Sequence, residues 1–348
     1  MKIYKSLLII LVIFLKTGNV LSSENIFSVN NIQIDRNKEL SNEQIANQAI
    51  KNGFKELTSK ILLDEDIKKI SGLNLSEIKD LILYYQLQTS QEPDSTTDKI
   101  IFNIFFDKNK LHDLFFKKSI SYSEILDKEI YLLPILKKDD QIFIYNNNFF
   151  YESWNNLFES ELIEFILPIE NIEIFQKVIL SKDNLIDLKL EDLFREYSNK
   201  NLAYVLIDTS ITKRERVYLK MKILDKYIEK NINVDRGNLD KEDFYKHIIT
   251  KVNKEITNLV KSENLIDVRT PSFLNTKLLI HKDKNLVELK KRLKKIDLID
   301  NIYVQEFNNE YIFLKIKYLG KIDKIIQLLK KEKIILQLIE EQWRLKII

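Results

Sequence analysis

Hydrophobic and polar positions change period along the chain, and the changes predict three modules. In the first, Ser41 and Gln44 form a capping box that marks the start of a helix. Four apolar residues at helical spacing form the predicted buried stripe of that helix: Ile50, Phe54, Leu57 and Ile61. Gly53 lies on the same side, where backbone can approach closely. Strands are predicted over IFSVNNIQID, ILYYQLQTSQ and KIIFNIFF, and a second helix over NKLHDLFFKK. The order predicts a βαββα module over residues 24–124.

The middle module, residues 128–265, contains three continuous apolar runs, IYLLPI, IEFILPI and LAYVLID. Such runs are typical of strands buried on both faces of a partly parallel sheet. An amphipathic helix is predicted over LKLEDLFREYSNK, and antiparallel additions over RVYLKMKIL and YIEKNINVD. A long helix is predicted from Leu239 to Val260. This pattern indicates a mixed α/β sheet.

The last module, residues 272–348, reads strand, helix, hairpin, helix and a final one or two strands. The segments are KLLIH, NLVELKKRLKKI, NIYVQEFNNEYIFLKIKYLG, KIDKIIQLLKKEK and ILQLIEEQWRLKI. The order βαββαβ predicts a ferredoxin-like unit. The whole chain is therefore expected to be an α+β protein of three modules.

The hairpin of this last module carries aromatic residues on the side that is expected to face away from its helices. A three-residue loop from Asn308 to Glu310, with one of its residues at positive φ, would place Val304 opposite Leu314. It would gather four rings on the far face, which we expect to pack on another module or to bind a partner. This candidate interaction surface consists of Tyr303, Phe307, Tyr311 and Phe313.

Residues 1–22 have the pattern of a signal peptide. Lys2 and Lys5 precede an apolar run from Leu7 to Leu15, which is too short to span a bilayer comfortably. Val20 and Ser22 suit the −3 and −1 positions of a cleavage site. We expect cleavage and a periplasmic product; the alternative is an uncleaved segment that anchors the chain in the inner membrane.

The composition of the chain excludes several kinds of functional site. The chain has no cysteine, which excludes disulfides, thiolate metal sites and cysteine nucleophiles. Removing residues 1–22 takes away three lysines and no acid, so the mature chain has 52 basic and 52 acidic residues. A neutral exported chain is a poor nucleic-acid binder, and no nucleic-acid partner is expected.

The C-terminal module is basic, and its most basic stretch lies on one predicted helix, at Lys290, Lys291, Arg292, Lys294 and Lys295. A solvated helix face opposite Leu289 and Leu293 explains this stretch. The alternative is peripheral contact with anionic lipid headgroups.

No catalytic, cofactor or metal site is predicted. His112, His247 and His281 lie in three different modules and show no zinc-ligand spacing. The chain has no nucleophile elbow and no glycine-rich phosphate loop. Acidic pairs occur at Asp64 and Asp66, Asp139 and Asp140, and Glu340 and Glu341. Solvated surface explains them, although paired carboxylates are also what a cell-wall hydrolase would use.

Several segments resemble the bacterial exported proteins catalogued as domain of unknown function 2066. The resemblance rests on SNEQIANQAIKNGFKELTSKIL, NNNFFYESW, LPIENIEIF, LEDLFREYSNKNLAYVLI and LKKRLKKIDLIDNIYV, among others, and spans nearly the whole mature chain. That family often has Asn-Pro-Trp where this chain has Asn148 followed by Phe149 and Phe150, a departure. The resemblance implies fold and compartment but no mechanism.

The sequence therefore predicts a non-catalytic exported protein of the cell envelope. Its expected role is that of a binding or scaffold component whose partner is another envelope protein. The alternative function is an envelope hydrolase acting through paired carboxylates. The sequence does not indicate the oligomeric state.

Overall fold

A computed structural model describes residues 26–35, 40–90, 99–138, 140–157, 162–209, 215–279, 285–308 and 310–348. The predicted signal peptide at 1–22 lies outside these residues, as do Asp139 and His281. The described chain is an α+β protein that forms two compact units. The first unit takes its described residues from 1–59, 66–121 and 266–348, and the second from 60–65 and 122–265.

The first part of unit one follows the predicted βαββα order, with two additional short helices. Its elements are β1 (Ser28–Asp35), α1 (Asn42–Ile61), α2 (Asp64–Ile70), α3 (Leu75–Asp80), β2 (Ile82–Ser90), β3 (Lys99–Phe106) and α4 (Lys108–Lys118). The three strands form an antiparallel sheet in the order β1-β3-β2. The predicted capping box is present, with the Ser41 N–H donating to Gln44 Oε1 at 2.8 Å and the Gln44 N–H donating to Ser41 Oγ at 3.2 Å.

Helix α1 packs closely on this sheet because Gly53 has no side chain. A Cβ at Gly53 would lie 2.8 Å from the Cδ1 atoms of both Ile32 and Ile104. The predicted stripe of α1, including Ile50 and Leu57, is buried around this contact. The close approach expected at Gly53 is therefore confirmed.

Unit two is built on a six-stranded mixed sheet. The next elements are β4 (Ser121–Ser123), β5 (Glu129–Lys138), β6 (Gln141–Phe143), α5 (Phe149–Ser153), β7 (Glu164–Ile166), α6 (Ile172–Leu180), α7 (Leu190–Leu193), β8 (Asn201–Asp208), β9 (Glu215–Ile223), β10 (Lys226–Val234) and α8 (Lys241–Glu263). The path runs β10-β9-β8-β5-β6, and β7 also pairs with β5. β5 is parallel to both β7 and β8, as the apolar runs predicted. Hydrophobic clusters cover both faces of the sheet, and the buried stripe of α8 belongs to one of them.

One helix prediction in unit two is wrong. The segment LKLEDLFREYSNK forms only α7 and a 3₁₀ turn at Arg195–Tyr197. Phe194, between them, has φ −129° and ψ 40°, which ends the helix. Leu190, Leu193 and Phe194 are all buried, so burial of adjacent side chains outweighs the helical pattern. The longer helix, α6, lies earlier, where the Asn171 side chain caps it by accepting from the N–H groups of Glu173 and Ile174.

The C-terminal part of unit one contains a five-stranded sheet. Its elements are β11 (Leu265–Asp267), β12 (Ser272–Leu279), α9 (Asn285–Leu293), β13 (Ile299–Phe307), β14 (Tyr311–Tyr318), α10 (Ile322–Lys331), β15 (Ile334–Ile339) and β16 (Gln342–Ile347). The sheet order is β13-β14-β12-β16-β15. The predicted βαββαβ order is present and is extended by one strand. β16 occupies the position beside β12, parallel to it, and β15 forms the sheet edge.

Candidate functional site: an open aromatic and basic sheet face

The C-terminal sheet has one covered face and one open face. Alternate residues of β12 and β14, among them Leu274, Leu278, Ile312 and Leu314, are buried. Their neighbours along each strand point to the other side, since strand side chains alternate. We call this other side the open sheet face; it consists of Phe273, Asn275, Lys277, Tyr303, Tyr311, Phe313, Lys315 and Lys317.

The cross-strand register brings these residues together. Lys277 of β12 lies opposite Phe313 of β14, and Phe273 lies opposite Lys317. On the other side of β14, Tyr303 of β13 lies opposite Lys315. On the open sheet face, three cross-strand pairs therefore set an aromatic ring opposite a lysine.

The lysines lie over the rings. Lys277 Nζ is 3.8 Å from the ring centroid of Tyr311 and 5.6 Å from that of Phe313. Lys315 Nζ is 4.5 Å from the ring centroid of Phe273. A cation within about 6 Å of a ring centroid is attracted by the ring quadrupole, a stabilisation of about 0.5–1 kcal/mol at exposed sites. Tyr311 and Phe313 meet edge to face, with centroids 4.9 Å apart.

The acids near this face are few, and they are engaged. Asp300 Oδ2 lies 2.6 Å from Lys317 Nζ, and its carboxylate raises the pKa of Lys317. The Tyr311 hydroxyl donates to Glu306 at 3.4 Å. The ammonium groups of Lys277 and Lys315 are therefore the cations that this surface offers to an anionic or electron-rich partner.

The hairpin register explains which predicted residues share this face. Val304 lies opposite Leu314, as predicted, but a bulge at Gln305 then shifts the pairing. Phe307 lies opposite Ile312, so the predicted three-residue loop, which requires Phe307 opposite Tyr311, is wrong. Phe307 is therefore on the side of the buried residues, at the exposed end of the hairpin, and is 64% exposed. Neither Asn308 nor Glu310 has a positive φ, and Asn309 lies outside the described residues.

The structure brings together three of the four predicted residues, Tyr303, Tyr311 and Phe313, and places Phe307 apart. Sequence reasoning missed Phe273 and Lys277, and it placed Lys315 on the side of the rings without including it in the candidate surface. The alternation in SFLNTKLL carried the signal for the first two, because it places Phe273, Asn275 and Lys277 on one side of β12. That the four predicted residues form a partner surface stays a prediction.

Three acids from the predicted acidic pairs, Asp64, Asp66 and Glu340, each form an ion pair with a different basic residue. Asp64 lies 2.7 Å from Lys254, and this partner lowers the pKa of Asp64. Asp66 lies 2.6 Å from Lys69, and Glu340 lies 3.0 Å from Arg344. A basic partner that lowers the pKa keeps the carboxylate ionised, whereas a general acid needs a raised pKa.

The described histidines and the basic helix show ordinary surroundings. Burial lowers the pKa of His112 to about 4. Within the described ranges no group of His, Asp and Glu could hold a metal ion.

In α9, Arg292 pairs with Glu288 at 2.9 Å and donates to the carbonyl oxygens of Glu332 and Lys333. Lys290 and Lys291 are exposed, and their contact with lipid stays a prediction.

In the part of the chain that the structure describes, no helix has both the length and the apolar character that crossing a bilayer requires.

Comparison with known proteins finds no family model that matches this chain and no curated protein that matches it. Among solved structures, the chain is similar to one titled "Crystal structure of uncharacterized protein". The two are 8% identical, the match covers 40% of this chain and 94% of the other, and the TM-score is 0.18.

Proposed function

We propose that the protein is a non-catalytic component of the cell envelope that binds another protein through the open sheet face. The observation that carries this proposal is the arrangement of Lys277 over Tyr311 and of Lys315 over Phe273, with Tyr303 opposite Lys315. Phe273 is 50% exposed and Tyr303 44% exposed. Aromatic residues are enriched at interface centres, where they supply apolar contact area, and charges beside them help to select the partner.

The partner that fits this face is a protein surface carrying carboxylates among apolar side chains. Carboxylates would pair with Lys277 and Lys315, and apolar groups would cover Tyr303 and Phe273. Charge complementarity of this kind mainly increases the association rate and excludes wrong partners.

The test is photo-crosslinking in intact cells from a reactive residue placed at Tyr303. The control position is Tyr227, which is 57% exposed on β10, outside the open sheet face. We expect one dominant crosslinked protein from the Tyr303 position, and we expect that the Tyr227 position does not crosslink this protein. The double substitution Lys277→Glu and Lys315→Glu should abolish that product, while Lys51→Glu with Lys55→Glu, on exposed positions of α1, should leave it.

Equal products from both positions, or a Tyr303 product that survives the Lys277→Glu and Lys315→Glu changes, would contradict the proposal.

Export is the second part of the proposal, and it rests on residues 1–22 of the sequence. The mature N-terminus should follow Ser22, and the product should leave the cell with the periplasmic fraction after osmotic shock. N-terminal sequencing that finds Met1 on a membrane-bound product would favour the uncleaved inner-membrane anchor instead.

A further inference from the structure

Strand β2 is an edge strand without the usual protection against pairing. It pairs with β3 on one side only and forms one end of the three-stranded sheet. Its sequence, ILYYQLQTS, contains no charged residue and no proline. Edge strands are normally protected by lysines, prolines or short length, because their free backbone groups can pair with another strand.

The side chains of β2 are unusually apolar for such a position. Tyr85 lies opposite Ile104 and Leu87 opposite Phe102, so both belong to the face of the sheet that α1 covers. Even so, Tyr85 is 42% exposed and Leu87 57% exposed. On the opposite face, Tyr84 stacks on Phe105, with ring centroids 4.5 Å apart.

A groove runs beside this edge, between β2 and the start of α1. Its volume is about 830 Å³. Most of its lining is apolar and includes Ile45, Ala46, Ile50, Tyr85, Leu87 and Phe102. The sheet ends before the space under α1 is filled, which leaves room for the side chains of one more strand.

We propose that this space is filled by β2 of a second copy of the chain. The two β2 strands pair antiparallel about a two-fold axis at Gln86 and join two three-stranded sheets into one of six. An interface of this kind uses the same patch on both copies, so the strand must be complementary to itself.

The composition of β2 meets that requirement. An uncharged strand brings no like charges together when it pairs with itself, whereas an axis at the centre of the edge strand β10 would set Lys230 against its own copy. Gln86 is the central residue of Ile82–Ser90, so an axis there pairs the full length of the strand. Tyr85 of one copy then lies beside Leu87 of the other, in the groove, and the two Gln86 amides meet on the opposite face.

Strand β15 provides a matched comparison. It is also an uncharged edge strand, but it has six residues, and Ile334 and Leu336 are already buried. Leu338 on β15 is 57% exposed, as Leu87 is on β2. Leu338→Lys therefore controls for the general effect of a lysine on an exposed edge.

The first experiment measures the mass of the purified protein by sedimentation equilibrium across a dilution series. The wild type and Leu338→Lys should be dimers, and Leu87→Lys should weaken association by about tenfold or more, with an unchanged circular dichroism spectrum. A wild type that is monomeric throughout, or a dimer that Leu87→Lys leaves intact, would overturn the proposal.

The second experiment tests the register and uses the absence of cysteine from the chain. In antiparallel pairs, opposite Cα atoms lie about 4.5–5.5 Å apart, within the roughly 4.4–6.8 Å that a disulfide spans. Gln86→Cys should therefore crosslink two copies under mild oxidation much faster than Gln337→Cys on β15. Equal rates would rule out an axis at Gln86.

Discussion

At the scale of single residues, Asn148 is the most fully bonded buried polar side chain of unit two. Its Nδ2 donates to the carbonyl oxygens of Pro134 at 2.9 Å, Phe143 at 3.1 Å and Ile144 at 2.9 Å. Its Oδ1 accepts from the Phe150 N–H at 3.1 Å and so caps α5. One amide therefore shares its two N–H hydrogens among three nearby carbonyl oxygens and accepts a hydrogen bond from one helix N–H.

Replacing Asn148 should destabilise unit two strongly. Asn148→Ala leaves carbonyl groups without a donor and should lower the free energy of unfolding by about 2–4 kcal/mol. Asn148→Asp should cost more at neutral pH, because a buried carboxylate would face three carbonyl oxygens. Urea unfolding monitored by tryptophan fluorescence measures both changes. The exposed control Asn156→Asp should stay within about 0.5 kcal/mol of wild type, and an Asn148→Asp variant as stable as wild type would refute the account.

His112 should make stability depend on pH. Burial, followed by the charge of Lys108, lowers its pKa from 6.5 to about 4, while Asp300 and Asp113 act in the opposite direction. The folded state therefore holds the neutral imidazole, and the unfolded chain binds the extra proton between these two values. Stability from this residue is complete above pH 6.5 and decreases as the pH falls towards 4.

The expected loss is about 2 kcal/mol by pH 5, at about 1.36 kcal/mol per pKa unit. The measurement compares wild type with His112→Gln in urea titrations from about pH 7 to about pH 4, a range that spans both pKa values. The difference in unfolding free energy should shift in favour of the variant as the pH falls. A difference that is constant across this range would contradict the assignment.

At the scale of elements, the contact between α1 and its sheet depends on the missing side chain of Gly53. Gly53→Val should force Ile32 and Ile104 to move, because a Cβ at this position would lie only 2.8 Å from each, and should destabilise the protein by about 1–3 kcal/mol. Gly72→Val is the matched control, because a Cβ there meets no atom within 4 Å. Thermal unfolding of both variants checks the prediction; equal shifts would show that packing at Gly53 is not tight.

The elements that could be predicted from sequence are those whose local pattern agrees with their environment. β5 and β8 have continuous apolar centres that are buried on both faces, and α8 follows its apolar stripe closely. The failed helix near Phe194 shows the opposite case, in which tertiary burial decides. The spacing of apolar residues within a segment does not indicate which other part of the chain will cover them.

The candidate site was predicted in part for the same reason. Val304 and Leu314 pair as the buried pattern requires, since register follows burial. The bulge at Gln305 carries no equivalent signal, because Val304 and the residues beyond it lie near the open end of an edge strand. Lys277 and Phe313 come from strands that are distant in sequence, and only the sheet order makes them neighbours.

At the scale of the whole molecule, unit one is discontinuous in sequence and unit two is inserted within it. Residues 266–348 return to the unit that residues up to 121 began. One contact between these segments is the hydrogen bond from Lys108 Nζ to the carbonyl oxygen of Asp297. Unit two has its own ties to residues 60–65, with Lys261 Nζ donating to the Leu62 carbonyl oxygen at 3.0 Å.

A chain that ends at residue 265 tests this organisation. In hydrogen-exchange mass spectrometry, β5 and β8 should keep the protection of the full chain, because all their sheet partners remain. Helix α4 should exchange faster, since Lys108 loses its Asp297 acceptor. Loss of protection in β5 and β8 as well would show that unit two depends on the missing segment.

The insertion also sets an order of events during biosynthesis. A ribosome releases residues 122–265 before residues 266–348 have all emerged, so the described strands of the inserted unit are present while the interrupted unit still lacks the five strands of its C-terminal sheet. The early segment of unit one must therefore wait through the synthesis of an entire second unit before its last strands emerge. A chaperone that shields this waiting segment would act on the newly made chain rather than on the finished protein.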